Sequence, residues 1–527
     1  MSGTTSTPKP GLRISPLVGL LGMLFLVLAV ELNDQVLNTS LWDVAGALGL
    51  SHDEAVWLPS LYLVAEIVGM ATAPTMAAIF TLRRFALSVA ALATLPTLLM
   101  TTGPGVSALF FLRLMQGLAG GWSIPLLMMT ALRVLPPPIR LYGLAVYACS
   151  ATIAPNLATS LAALWTDGLQ DWHFIFLGVI PFVTIAAVLI WFGLDQDPPR
   201  YPMLRQFDWP GVIFVLMGFG SLVVALEQAN RLDWLNSPTI CLLFLCSAIG
   251  IPALVLRELH APQPLFRLDL LKRRNFAYAL IALVLVLIIA LGSGPVPISF
   301  LTQVHGYRPA QAHVLTLLVA ATQLLLLPLT AFILDFERVD ARWISACGMG
   351  LILVALICGT NIGPEWMRGN FMMLQALYSV GMAFIVVPLL MLATNEVKQP
   401  EAMYASGMIN MPRAVAGGLG NGVLDAVERW RGALHHGRLL DTLGHARYRA
   451  VQAQPVGAYS PALFPDGAPR EPHALQALNE TIEAQTTTLV TLDTFCVLAG
   501  FVVLLLLILA LYPVRSYPPR IQLTRKA

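Results

Sequence analysis

Fourteen runs of about 18–25 mostly apolar residues succeed one another along this 527-residue chain, each long enough to cross a bilayer as a helix. They cover 17–38, 54–76, 84–102, 106–132, 141–165, 172–193, 209–228, 238–257, 276–299, 310–334, 343–362, 370–393, 404–428 and 487–512. Only the Gly103-Pro104-Gly105 turn separates the third from the fourth. The rest of the composition agrees. Charged residues are 11% and hydrophobic ones 57%, whereas a soluble domain carries about 25% charged residues. A formal net charge of +2 leaves no basic surface suited to nucleic acid. The expected fold class is an all-α integral membrane protein.

The positive charges orient it. With both ends in the cytoplasm, roughly two thirds of the 31 lysines and arginines fall on the cytoplasmic side, including Arg83, Arg84 and the cluster Arg267, Lys272, Arg273 and Arg274. The short outer loops carry only Arg231, Arg308 and Arg368. The polar start, MSGTTSTPKPGLRIS, precedes an acidic first run with no small-residue cleavage site, so that run reads as a retained span. The expected units are a cytoplasmic tail (1–16), a six-helix bundle (17–193) and a linking helix pair (194–275). A second six-helix bundle (276–512), which includes a periplasmic loop (429–486), and a cytoplasmic tail (513–527) complete the chain. Two such bundles around a cavity form a recurring transporter plan.

Catalytic and metal chemistry find no support. Cys149, Cys241, Cys246, Cys347, Cys358 and Cys496 all lie in apolar runs and read as small hydrophobes. His435, His436 and His445 fit no zinc spacing. There is no phosphate loop, H-E-x-x-H or G-x-S-x-G run, so no enzyme activity and no cofactor is expected.

The informative residues are charges at bilayer depth, each costing at least roughly 2.5–3.5 kcal/mol. Glu31, Asp34, Gln35 and Asn38 follow i, i+3, i+4, i+7 and share one face of the first helix. Glu66 sits in mid-span, in Leu63-Val64-Ala65-Glu66-Ile67-Val68-Gly69. These carboxylates are candidates to carry a proton, with Arg113 in span four modulating them by its charge. The competing readings are that Asp34 and Asn38 merely end a helix, and that Arg113 and Arg413 form fixed interhelical pairs. Gln35, Asn38, Asn410 and Arg413, with Trp122 and Gln323 by helix position, are the candidate substrate contacts. Glu227 and Asp425 read as interfacial, and the glycine pairs Gly117/Gly121 and Gly418/Gly422 as packing positions.

Several segments resemble the fourteen-helix drug:proton antiporters of the major facilitator superfamily, the EmrB/QacA type. Leu112-Arg113-Leu114-Met115-Gln116-Gly117 is similar to the family's fourth-helix motif, and Trp172-His173-Phe174-Ile175-Phe176 to the start of its sixth helix. Phe207-Asp208-Trp209-Pro210-Gly211 and Leu226-Glu227-Gln228 resemble the ends of the linking helix, and Ser406-Gly407 with Asn410 and Arg413 resembles helix thirteen. The resemblance implies a major-facilitator-type fold with two linking helices, located in a bacterial inner membrane. It also implies export of amphipathic drugs or toxic compounds in exchange for protons, and as partners a periplasmic adaptor and an outer-membrane channel. The chain departs from the pattern in three places. The first-helix L-D-x-T reads Leu32-Asn33-Asp34-Gln35, the loop after helix two keeps only Arg83 and Arg84, and G-P-x-x-G-G becomes Ala154-Pro155-Asn156-Leu157-Ala158-Thr159. These departures leave open a proton-coupled or facilitative carrier of a single metabolite, and a non-transporting sensor or scaffold.

Overall fold

The computed structural model describes residues 14–135, 139–336, 338–395, 397–398, 401–445 and 472–516. Fourteen long helical segments succeed one another. The first six are α1 (Ile14–Thr39), α2 (Trp57–Phe80), α3 (Leu82–Met100), α4 (Val106–Val134), α5 (Arg140–Ala162) and α6 (His173–Gly193). Two more, α7 (Trp209–Ala229) and α8 (Pro238–His260), follow. The last six are α9 (Arg274–His305), α10 (Pro309–Leu334), α11 (Ala341–Gly359), α12 (Arg368–Asn395), α13 (Ala402–His445) and α14 (Pro472–Leu511). Among the described residues, thirteen of these segments are long and apolar enough to cross a membrane. The exception is α13, whose apolar residues are diluted by Asn410, Arg413, Asn421 and Asp425. It nevertheless packs against α2, α4, α7, α9 and α14, inside the bundle.

Local chemistry sets the ends. Ser51 and Glu54 form a reciprocal capping box before α2. Asp208 and Asp340 accept from the backbone N–H of Gly211 and Arg342 at the starts of α7 and α11. The turn between α2 and α3 places Thr81 at φ 76°, ψ 148°, a region that only glycine occupies without strain. Gln196 Nε2 donates to the Thr81 hydroxyl at 3.3 Å, and the Arg200 amide donates to the Ile79 carbonyl at 2.8 Å, holding the turn from the α6–α7 connection.

Two expectations need correction. The ninth run is not one helix, because α9 breaks after Ala290 and resumes at Pro295. Gly292, Ser293 and Gly294 occupy the gap, and Pro295 has no N–H to continue the ladder. A Cβ on Gly292 would lie 2.2 Å from Tyr378 Oη, so this break is also where α12 approaches. Nor is 429–486 a loop throughout. Residues 429–445 continue α13, and 472–486 belong to α14. Asp493, within the span of α14, holds the α13 extension, accepting from Arg431 Nε at 2.6 Å and lying 2.6 Å from His435 Nε2. Residues 446–471, with most of the tail 1–16 and of the tail 513–527, lie outside the described residues.

Helices α1–α6 pack on one another, as do α9–α14, and the two sets meet along α5–α10 and α2–α13. Between these sets Arg308, ahead of α10, pairs with Asp167 beyond α5 at 2.7 Å and with Asp43 at 3.3 Å. Helix α8 rests on α7 where Gly218 meets Gly250, and α7 lies across both α2 and α13.

Candidate functional site

In lipid no hydrophobic force drives helices together, so close approach depends on small residues. Helix α4 supplies them to α2. A Cβ on Gly117 would fall 2.2 Å from the Tyr62 carbonyl oxygen, and one on Gly121 would fall 2.1 Å from that of Glu66. This contact brings Arg113, one turn before Gly117, under α2 and against α1. Its guanidinium is fully buried and pairs with Asp34. It also donates to the Leu58 carbonyl at 3.1 Å and to Gln116 Oε1 at 3.2 Å, and lies 4.4 Å from the centroid of the Tyr62 ring. Gln116 donates in turn to Thr97 Oγ1 at 2.9 Å. Arg113 is thus held inside the first set of helices.

Arg413 is held differently. Its Nη2 reaches Glu31 on α1 at 2.5 Å, so this pair joins the two helix sets. Side-chain exposure is 16% for Arg413 and 9% for Glu31, and Arg413 Nη1 is buried with no hydrogen-bond partner. On the neighbouring turn, Tyr147 of α5 donates to Asn410 Oδ1 at 2.5 Å, and Asn410 donates to the Ser406 carbonyl at 2.8 Å. Ser406 in turn donates to the Pro125 carbonyl of α4, at 2.9 Å.

A pocket of about 190 Å³ opens between α1, α2, α7 and α13. It gathers Glu31, Asp34, Gln35, Asn38, Glu66 and Arg413 from the sequence-predicted set. The polar stripe of α1 therefore faces a cavity. Asn38 is exposed at one end and donates to Asp34 Oδ2 at 3.2 Å, while Asp34 itself is buried. Glu66 differs from the other two carboxylates, having no ion pair or hydrogen bond among the described residues.

Three predicted contacts lie elsewhere. Trp122 turns toward Thr72, donating to its hydroxyl at 2.9 Å, and packs on Phe85. Gln323 lies buried against α12, donating to the Ser379 carbonyl at 2.6 Å. Asn410 is consumed by the α5–α13 seam. Helix position alone could not separate these faces, because spans four and ten carry isolated polar side chains on more than one face. Conversely, Glu227 of α7, read from sequence as interfacial, lines the pocket, and Asn421 Nδ2 donates to its Oε1 at 2.9 Å. The available signal was the spacing of Gly418 and Gly422, which admit α7 against α13: a Cβ on either would lie 3.0 Å from Val223 Cγ1 or 2.9 Å from Leu226 Cδ2.

Comparison with known proteins agrees with this architecture. The chain is 25% identical over 410 residues to the colistin resistance protein EmrB of Acinetobacter baumannii, covering 77% of this chain and 78% of that one. It is 25% identical over 478 residues to the fatty acid resistance protein FarB of Neisseria gonorrhoeae, covering 90% and 92%. Among solved structures it shares its fold with a proton-dependent oligopeptide transporter, at a TM-score of 0.57 and 12% identity, covering 94% and 98%. The family model of the Major Facilitator Superfamily matches residues 23–421. This chain belongs to the Major Facilitator Superfamily.

Proposed function

We propose that the protein is a secondary transporter of a bacterial inner membrane that exports amphipathic organic compounds in exchange for protons, with both termini in the cytoplasm. One observation carries the proposal: an unpaired carboxylate, Glu66, shares a pocket with a carboxylate–arginine pair that joins the two helix sets. A group free to gain and lose a proton next to an inter-bundle ion pair is what coupling a proton to bundle movement requires. Glu31, Asp34, Glu66 and Arg113 form the coupling group in this reading, and Gln35, Asn38 and Arg413 meet substrate. The resistance proteins it resembles support export, and the lysine and arginine asymmetry supports the orientation. A periplasmic adaptor and an outer-membrane channel would continue the path.

The test is transport in proteoliposomes under an imposed pH gradient. Glu66→Gln is expected to abolish gradient-driven accumulation while leaving downhill exchange of substrate. Accumulation that survives Glu31→Gln, Asp34→Asn and Glu66→Gln, alone and combined, refutes the coupling role.

A further inference from the structure

A second depression lies where the half of α9 beyond its break meets the extended ends of α13 and α14. Two cavities of about 550 and 540 Å³ adjoin there, sharing Gln303, His436, Thr486 and Thr487, and together form one trough. Neither shares a lining residue with the pocket between α1, α2, α7 and α13. Each volume falls within the range of about 300–1,000 Å³ that small-molecule sites occupy. The floor is apolar, with Val296, Phe300 and Val490 buried.

The polar groups of this trough accept hydrogen bonds far more than they donate them. Thr486, Thr491 and Thr494 spend their hydroxyl protons on the carbonyls of Ile482, Thr487 and Val490, at 2.8, 2.8 and 2.9 Å, which leaves oxygen lone pairs for a ligand. Four carboxylates line it, Asp425 and Glu428 one turn apart on α13, and Glu480 and Glu483 one turn apart on α14. The first two have no ion pair or hydrogen bond among the described residues. Glu480 and Glu483 accept from Gln476 and Asn479 at 2.9 and 2.7 Å, neutral amides that leave both charges uncompensated. No lysine or arginine lines the trough among the described residues, because Arg429 is drawn to Asp233 and Arg431 to Asp493. His436 is the one basic side chain in the lining. The two acidic pairs stand at different levels. At about 1.5 Å of rise per residue, Glu428 lies about 12 Å along α13 from His436, and Glu483 about 6 Å beyond Thr487 on α14.

A ligand matched to this lining carries several positively charged N–H donors joined by short apolar links, and is long enough to reach both acidic pairs. A single-headed cation would meet one pair and leave the other to water. We propose that the trough is a binding site for linear aliphatic polyamines, whose ammonium groups meet the two carboxylate pairs and the threonine oxygens while their methylene links lie on Val296, Phe300 and Val490. The site shares no residue with the pocket that holds Glu31, Asp34 and Glu66, so its occupancy does not depend on the transport reading. Glu428, Glu480 and Glu483 are exposed, so salt screens the attraction.

The experiment titrates spermine into the full chain in phosphatidylcholine nanodiscs by calorimetry, with empty nanodiscs subtracted. Putrescine, too short to span both pairs, and the single-headed decyltrimethylammonium are the comparison probes. Spermine is expected to bind at least about tenfold more tightly than putrescine, equivalent to about 1.4 kcal/mol, and decyltrimethylammonium should not displace it. Glu428→Gln combined with Glu483→Gln should weaken spermine binding by about tenfold or more and putrescine binding by about threefold or less. Glu365→Gln combined with Asp441→Asn, which removes two carboxylates outside the trough, should change spermine binding by less than about twofold. For the unmodified protein, added salt should weaken spermine binding, and this and the spermine–putrescine gap stand even where a variant fails to fold. Spermine affinity no greater than that of putrescine, unchanged in the trough double variant, indifferent to salt, or lost equally in the variant outside the trough would each overturn the assignment. Displacement of spermine by decyltrimethylammonium would also overturn it, giving the trough to a single-headed amphiphile.

Discussion

Neutralising Glu31 probes the only buried ion pair that joins the two helix sets among the described residues. In Glu31→Gln the Arg413 guanidinium keeps its positive charge but loses its counter-ion, and its Nη1 already lacks a partner. Removing one member of a buried pair costs about 3–5 kcal/mol, because an uncompensated charge remains. The glutamine amide oxygen can still accept one hydrogen bond, worth about 1 kcal/mol. The expected loss is therefore about 2–4 kcal/mol. Removing both charges, in Glu31→Gln with Arg413→Gln, should cost less than the sum of the single changes by about 2 kcal/mol, since no orphan charge is left. Unfolding by SDS in mixed micelles, followed by the fluorescence of the 11 tryptophans, measures all three variants. A loss below about 1 kcal/mol in Glu31→Gln, or strict additivity in the double variant, would refute the argument that this pair is buried and mutually compensating.

Two further outcomes follow from the packing and from the connections ahead of α9 and α13. Gly121→Ala would place a methyl group 2.1 Å from the Glu66 carbonyl, so α2 has to move; a destabilisation of about 3 kcal/mol in the same SDS assay is expected, with loss of gradient-driven transport, and a variant as stable and active as its parent would contradict the close approach. Arg273 holds the Glu401 carboxylate with two bonds of 2.8 Å and lowers its pKa from 4.5 to about 2. Because the folded-state value is depressed, the stabilisation is complete above about pH 4.5 and fades as pH falls toward about 2. Glu401→Gln should therefore lower the melting temperature at neutral pH and by progressively less below about pH 4.5; a deficit that stays constant on acidification counts against the pairing.

The spans were legible because bilayer thickness imposes a length that apolar runs report directly. The α1 stripe was legible too, since four polar residues on one face of a membrane helix require a cavity or a partner. The identity of the partners was not. Asp34 and Arg113 are 79 residues apart and Glu31 and Arg413 are 382 apart, and nothing local to either residue sets which carboxylate meets which arginine. That choice depends on how far α4 sinks into α2, which Gly117 and Gly121 control. The water-side end of α13 escaped detection for another reason. An apolar-run criterion stops where the chain leaves the lipid, although the backbone ladder continues to His445. Glu227 was misplaced because its position near a helix end matched an interfacial carboxylate, while the tilt of α7 across α2 and α13 is a tertiary fact.

The departures from the family pattern can be weighed one by one against this geometry. The first-helix change is compensated, because Asp34 still meets Arg113 and Glu31 gains Arg413. In the turn after α2, Thr81 stands at φ 76°, with Gln196 and Arg200 of the α6–α7 connection bonded to the turn. There, too, Arg133 at the end of α4 finds its carboxylate in Asp197, at 2.7 Å. In α5, Ala154 and Ala158 are fully buried where glycines are expected, and the helix still packs along α10. A methyl group in place of hydrogen keeps the helices in contact but raises the cost of sliding one backbone over the other. The erosion therefore bears on the path between conformations more than on the resting fold. In the proposed exchange, protonation of Glu31 would release Arg413, and coupling should lean on this tie more than on sliding of α5 along α10.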